Sequence, residues 1–309
     1  MRILVAGELN ADAVFVGLAS FPRLGHEVLA DHFSLELGSS SAICAAGLAR
    51  LGNHVAFITK VGTDLMGRFC LDQLQRLGID ASPAIVDPDA KTGITVSMST
   101  TDRALLTYPG TISELSASDI PLDLLGGFSH LHVSSYFLQR ALRPGLTKLF
   151  AAAQKLGLTT SLDPGDDPAD EWRVDIAELL ESVDVFLPNE AELAALTGTL
   201  YMEEGLRRLA NGRTLTVAKL GKQGCALMHQ DRLLQVPAIP LRPVDTTGAG
   251  DSFNAGFLHG YLRGMALEEC LRCGVICGGL STLAPGGTAG QPDWNDVQAR
   301  LELTGGARV

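Results

Sequence analysis

Basic residues are few. The 309-residue chain has 24 Lys and Arg against 35 Asp and Glu, a formal charge of −11, and no stretch concentrates the cations. A duplex phosphate backbone would be repelled, so nucleic acid is not an expected partner. Cysteine is sparse as well: six residues are too few for a disulfide framework and suit reduced thiols in a cytoplasm. Long uncharged runs are missing. The opening stretch, MRILVAGELNADAVFVGL, holds one basic residue and is interrupted by Glu8 and Asp12, unlike a secretory leader, and no later stretch has the length of a membrane span. Internal repeats and low-complexity linkers are lacking too. What remains, with 46% apolar residues, is a globular protein able to bury a sizeable core, expected in the cytoplasm and away from membranes.

What is present is alternation. RILVAG reads as a strand, SAICAAGLARLG as a helix stopped at Gly52, and HVAFITKVG as the next strand. DLMGRFCLDQLQRLG then puts Met66, Cys70, Leu74 and Leu77 on one helical stripe; PGLTKLFAAAQKLG leads into LTTSLD, DVFLPN into EAELAAL, and TLTVAKLG follows another short helix. Such βα units build an α/β fold, a doubly wound and mostly parallel sheet with helices on both faces and ligands at the strand C-termini. Residues 12–36 and 92–110 break the pattern. Their β-branched and aromatic residues at period two predict a small β-sheet projecting from a single domain over 1–309, a lid that packs over a ligand or a second subunit.

Two clusters imitate metal sites. Cys270, Cys273 and Cys277 share one helical face but have no fourth ligand at a matching spacing, so a small-residue core face is expected. His130 and His132 flank Leu131 in a strand and point the same way, with no carboxylate or Cys at a matching offset, and read as satisfied polar side chains.

The informative stretch is VDTTGAGDSFNAGF, Val244 to Phe257. Gly248, Ala249 and Gly250 leave the backbone bare, and the periodicity of Phe253, Phe257, Leu258 and Tyr261 starts a helix at Gly250 or Asp251. Orphan N–H groups and the positive end of the dipole make that turn an anion cradle. It is not a dinucleotide fingerprint, since the third glycine would fall on Phe253, and no P-loop exists because Gln223 follows Gly221-Lys222. Asp251 alone could be a helix cap. Beside a phosphate cradle, a carboxylate can also take a proton from a substrate hydroxyl while the N–H groups stabilise a transferring phosphoryl group.

DTTGAGDSFNAGF resembles the C-terminal signature of the ribokinase-like (PfkB) carbohydrate kinases. GSSSAICAAGLARLG (Gly38 to Gly52), VGTDLMGR, LPNEAELAALTG and AKLGKQG are similar to further blocks of that family, in the same order. The resemblance implies an ATP-dependent phosphotransferase in which Asp251 is the general base and Gly248, Ala249, Gly250 and the Asp251 N–H form the anion hole. Asn189 and Glu192 would order Mg²⁺ through water, and Lys219, Gly221, Gly224 and Gly250 would lie along ATP. Asp245 and the Thr247 carbonyl would hold a monovalent cation such as K⁺. Asn10 and Asp12 match the family's N-x-D against sugar hydroxyls, with Gly38 and Ser39 beside them and Arg103 in the lid the one cation near the acceptor.

The chain departs from the family where the acceptor is read. Ser39 replaces the second glycine of the N-terminal signature, Ile43 replaces an asparagine that contacts sugar, and Val275 aligns with an adenine-side asparagine. No acidic residue appears in SSYFLQ, where ribokinases proper place one against the sugar. With a single cation near the acceptor, an unphosphorylated sugar or polyol, ribose-like or fructose-like, is expected. A nucleoside is the rival, with Ile43, Phe33 and Tyr108 covering a base. A non-catalytic sugar or nucleotide sensor is the alternative of another class, and pairing into homodimers through the lid is implied by the family.

Overall fold

The computed structural model describes residues 1–100, 103–172 and 174–305. An eight-stranded sheet runs through it. From edge to edge its strands, numbered in chain order, are Arg232–Val236 (β14), Cys225–His229 (β13), Leu215–Lys219 (β12), Val185–Phe186 (β11), Thr159–Leu162 (β10), His130–Val133 (β9), Arg2–Ala6 (β1) and His54–Ile58 (β4). The six from β12 to β4 are parallel and the β13–β14 hairpin is antiparallel.

Alternation along each strand divides the core in two. Ile3, Val5, Val55, Phe57 and Val217 meet Ser40–Arg50 (α1), Leu65–Arg76 (α2), Ala249–Leu262 (α8), Leu267–Ser281 (α9) and Trp294–Gly305 (α10). Leu4, Ala6, Leu131, Val133 and Phe186 meet Leu122–Leu125 (α3), Arg143–Lys155 (α4), Ile176–Leu180 (α5), Glu190–Thr197 (α6) and Met202–Arg208 (α7). The same parity turns His130, His132, Ser161, Lys219 at the end of β12 and, one residue past β10, Asp163 toward α8.

HVAFITKVG does not continue as one strand. β1 ends at Ala6 opposite Ile58, so the chain leaves the sheet there and Lys60–Gly62 (β5) pairs with Ile85–Asp87 (β6) instead. A separate antiparallel and parallel sheet is built from His32–Leu37 (β3), Asn10–Val16 (β2), Gly93–Ser99 (β7) and Arg103–Tyr108 (β8), in that order. One of its faces carries Asn10, Asp12, Val14, Ser34, Glu36, Thr95 and Ser97 toward a cavity. Phe33 and Tyr108 fall on the other face, 60% and 53% exposed, so the expectation that they cover a bound base is corrected by strand parity.

His130 and His132 are buried and bonded along the sheet to Thr159, Ser161 and Ser134, as satisfied polar side chains. Cys270, Cys273 and Cys277 are buried on α9, where the Cys277 sulfur lies against Gly256 of α8. Among the described residues no group of three His, Cys, Asp or Glu is disposed to hold a metal directly. None of the described helices is long and apolar enough to cross a membrane.

Candidate active site

The turn before α8 is shaped by sterics. Gly248 has φ 69°, and a methyl there would sit 2.9 Å from both the Gly287 Cα and the Ile43 Cγ2. Only glycine takes both the backbone and the space. The helix begins at Ala249, a residue earlier than its periodicity suggests. Ala249 donates to the Thr246 carbonyl at 3.3 Å and Ser252 to the Gly248 carbonyl at 2.9 Å, while the N–H groups of Gly250 and Asp251 reach no backbone acceptor among the described residues. Asp245 braces the turn. Its Oδ1 accepts from the Thr247 N–H at 2.9 Å and hydroxyl at 2.8 Å, and its Oδ2 from the Gly286 N–H at 2.9 Å.

A cavity of about 640 Å³ opens over this turn, between it and the small sheet. That size suits a small-molecule site. Asn10, Asp12, Ser39, Ile43, Asp245, Thr247, Gly248 and Asp251 all line it, so the residues expected at the acceptor end meet the expected base. Gly38 stands behind them, its Cα hydrogen facing the Asn10 and Asp12 side chains. Asn10 donates to Asp12 Oδ1 at 2.7 Å. Arg103 opens β8 opposite Ser99, and its side chain lies outside the described residues.

The two departures in α1 have local explanations. Ser39 keeps a glycine-like backbone, φ 80°. Its hydroxyl donates to the Glu8 carbonyl at 2.6 Å and accepts from the Ala42 N–H at 3.0 Å, which holds the strained turn and caps α1. Ile43, 4% exposed, packs its side chain on Gly248 and Gly287 rather than presenting a hydrogen-bonding group.

The residues expected along the nucleotide lie outside the cavity lining, across the α8 turn. Lys219 ends β12; its Nζ would be 3.7 Å from a methyl on Gly250 and is 2.5 Å from Asp163 Oδ2. Asn189 caps α6 in a reciprocal box: Glu192 Oε2 accepts from the Asn189 N–H at 2.7 Å and Oε1 from its amide at 2.6 Å. Glu192 is therefore buried rather than an ornament of the helix surface. Gly221 is exposed in the turn after β12, whereas Gly224 (φ 95°) is buried with its Cα hydrogen against the backbone of Val236 and Ala238, which makes it a requirement of the β-turn.

Charge is concentrated here. Burial, the Asp163 carboxylate and, more weakly, Glu8 push the Asp251 carboxyl up to about 8, against the opposing pull of Lys219 and a hydrogen bond from Ser40. Burial and Asp163 push Glu192 up to about 7. Despite burial, Lys219 and its hydrogen bond hold Asp163 below the ordinary carboxylate range. Asp163, Asn254, Glu8 and Ser40 are members of the site that sequence reading missed, because each is recognisable only by its partners across the sheet.

Residues 2–294 match the pfkB family carbohydrate kinase. An uncharacterized sugar kinase of Archaeoglobus fulgidus is 33% identical over 74% of this chain and 91% of its own length. A nucleoside kinase of Methanothermobacter thermautotrophicus is 28% identical over 87% and 85% of the two chains. The structure of Arabidopsis thaliana ribokinase complexed with ribose and ATP superposes with a TM-score of 0.83 at 26% identity, over 97% of this chain and 98% of that one.

Proposed function

The chain belongs to the pfkB family of carbohydrate kinases and is a phosphotransferase with an alcohol acceptor; from that premise we propose that it moves the γ-phosphoryl group of ATP to a hydroxyl of an unphosphorylated sugar or polyol. The observation that carries this reading is the meeting of Asp251, the bare α8 turn and the Asn10–Asp12 pair around one cavity. The acceptor hydroxyl lies against Asp251, whose carboxylate takes its proton as the phosphorus bond forms. Of the expected anion hole, Gly248, Ala249, Gly250 and Asp251, the Ala249 N–H is given to Thr246, and the N–H groups of Gly250 and Asp251, fixed before the reaction, donate to the phosphoryl oxygens on which charge spreads. Asp12, steadied by Asn10 and backed by Gly38, accepts hydrogen bonds from acceptor hydroxyls, and Ser39 fixes the turn beside it. The lid hydroxyls of Ser34, Thr95, Ser97 and Thr107 add further partners for a polyol. Arg103 completes the lid end of the acceptor site.

ATP lies on the other side of the turn, along Asn189, Lys219, Gly221 and Gly250, with Gly224 shaping the hairpin. The Glu192 carboxyl is buried beside the Asp163 carboxylate, with Lys219 offsetting only part of that charge, which a divalent cation would relieve, so Asn189 and Glu192 fit Mg²⁺ held through water. When bound, Mg²⁺ supplies charge neutralisation on the phosphates. Asp245 and the Thr247 carbonyl fit a monovalent cation, K⁺, behind the anion hole. The small sheet acts as a lid over the cavity within one kinase domain, and by excluding water it favours the alcohol over hydrolysis.

A nucleoside acceptor is the second reading, favoured by the apolar cavity wall of Val14, Val16, Leu105 and Ile43. ADP release measured over sugars, polyols and nucleosides separates the two, and a chain that binds without turnover would instead be a sensor. Asp251→Asn is expected to lower kcat by about 10²–10⁴ while ATP affinity changes little; near-normal turnover removes the base. Because Asp251 works as the anion, kcat/KM of the wild type should fall as pH drops through about 8, and a flat profile down to pH ~6 would contradict the assignment.

A further inference from the structure

Asp163 belongs to none of the roles above, yet it sits at their centre. It follows β10, is 4% exposed, and its Oδ2 accepts two hydrogen bonds, from Lys219 Nζ at 2.5 Å and from Asn254 Nδ2 at 2.5 Å. Its Oδ1 accepts from the Gly165 N–H at 3.0 Å. Asn254 is fully buried one turn after Asp251 on α8, and its Oδ1 has no hydrogen-bond partner among the described residues. An unpaired buried amide oxygen is destabilising, so this asparagine is a poor choice for packing alone. Its one bond holds Asp163.

The charge count sharpens the question. Among the described residues Lys219 is the only cation beside Asp163, Glu192 and Asp251, and a site that merely bound phosphate would gain by leaving its ammonium unpaired. Among the described residues, Lys219 forms an ion pair with Asp163 and none with Asp251. Were Lys219 to turn to Asp251, the carboxylate would become a weaker base and the ammonium would leave Gly250. We infer that Asp163 is a positioning residue: tethered by Asn254 and Gly165, it holds the Lys219 ammonium beside Gly250 and away from Asp251, so that cation and base act on the phosphoryl group and the alcohol separately. The proton still passes from alcohol to Asp251, and Asp163 exchanges none. This rests on the kinase reading for its purpose but not for its test.

The groups facing Asp251 are Asp163 and Lys219 from the sheet, Glu8 after β1, Ser40 and Cys44 from α1, and Asp245 before α8. The carboxyl of Asp251, assigned by its loss in Asp251→Asn, is followed by carboxyl ¹³C NMR titration in the full chain. In Asp163→Asn its midpoint should fall by about one pH unit or more, with kcat reduced at least about tenfold and ATP bound more weakly, because Lys219 leaves Gly250 for Asp251. Loss of the Asp163 charge alone would also lower the midpoint, so the deciding variant is Asn254→Ala, which keeps that charge and loosens only the tether: a merely structural role would leave its Asp251 titration in place. Should Asp163→Asn fail to fold, Asn254→Ala loosens the same tether and should shift the midpoint in the same direction. A midpoint that stays or rises in Asn254→Ala overturns the inference. If no acceptor is phosphorylated by the wild type, the kinase reading falls, and the titration still decides the role of Asp163.

Discussion

At the scale of single residues, the two glycines of the α8 turn separate stability from catalysis. Gly248→Ala forces a methyl against Gly287 and Ile43 and an L-residue into φ 69°, a backbone strain of about 1–3 kcal/mol. Both the thermal midpoint and turnover should fall. Gly250 is helical, and a methyl there finds Lys219 at an ordinary 3.7 Å, so Gly250→Ala should hold or raise stability by up to about 1 kcal/mol. If its N–H faces the migrating phosphoryl group, the same methyl narrows the approach, and kcat should drop while the melting curve does not. Calorimetry beside an ADP-release assay reads both, and a Gly250→Ala enzyme of full activity would move the cradle elsewhere. The Ser39 turn carries the same lesson. A backbone at φ 80° that glycine takes most readily is kept at Ser39 by three polar contacts to Glu8 and Ala42.

At the scale of elements, β9 and β10 share a buried polar row that runs from Thr159 through His130, Ser161 and His132 to Ser134, with each contact at 2.7 or 2.8 Å. Each hydroxyl has one proton to give, so the row has a single polarity throughout. If Ser134 donates to His132 and the direction is kept, the last proton, on Thr159, reaches the Ser129 carbonyl at 3.4 Å. The opposite polarity leaves Ser134 without a described acceptor, so both imidazoles carry their proton on Nδ1. Burial presses His130 down to about 3 and His132 to about 4. The unfolded chain therefore binds protons that the folded one refuses below pH ~6.5, and stability is complete above that pH and lost as it falls toward 4. His132→Gln should flatten the acid side of a plot of Tm against pH while lowering Tm at neutrality; an unchanged slope would mean the ring is already charged. The helices, most strands and the α8 turn were legible because their signals are local: periodicity, glycine stops and small residues before an aspartate. Asp163 and Asn254 were not, since the parity of strands far apart in sequence brings them together, and Phe33 and Tyr108 were misjudged because one-residue register decides which face of the small sheet they join.

At the scale of the whole molecule, the lid poses an uncovered problem. Its inner face, hydroxyls and carboxylates interleaved with Val14, Val16 and Leu105, lines the cavity, but its outer face collects Phe15, Phe33, Met98, Leu106 and Tyr108, with Leu106 66% exposed. An apolar sheet face with two edge strands, β3 and β8, invites association. A second copy of the chain is the covering that this geometry favours, because a face that meets its own image about a two-fold axis closes the assembly without leaving a further patch to propagate. The proposal places two lids back to back, each stiffened over its own acceptor cavity. Sedimentation velocity at micromolar protein should then give a dimer. Leu106→Glu, which sets a charge in the middle of the apolar face and leaves the cavity lining untouched, should give a monomer with a raised acceptor KM and little change in ATP affinity, since only the lid side is loosened. A wild type that sediments as a monomer, or a Leu106→Glu variant that stays dimeric, would put the interface elsewhere and leave the outer face of the lid to solvent.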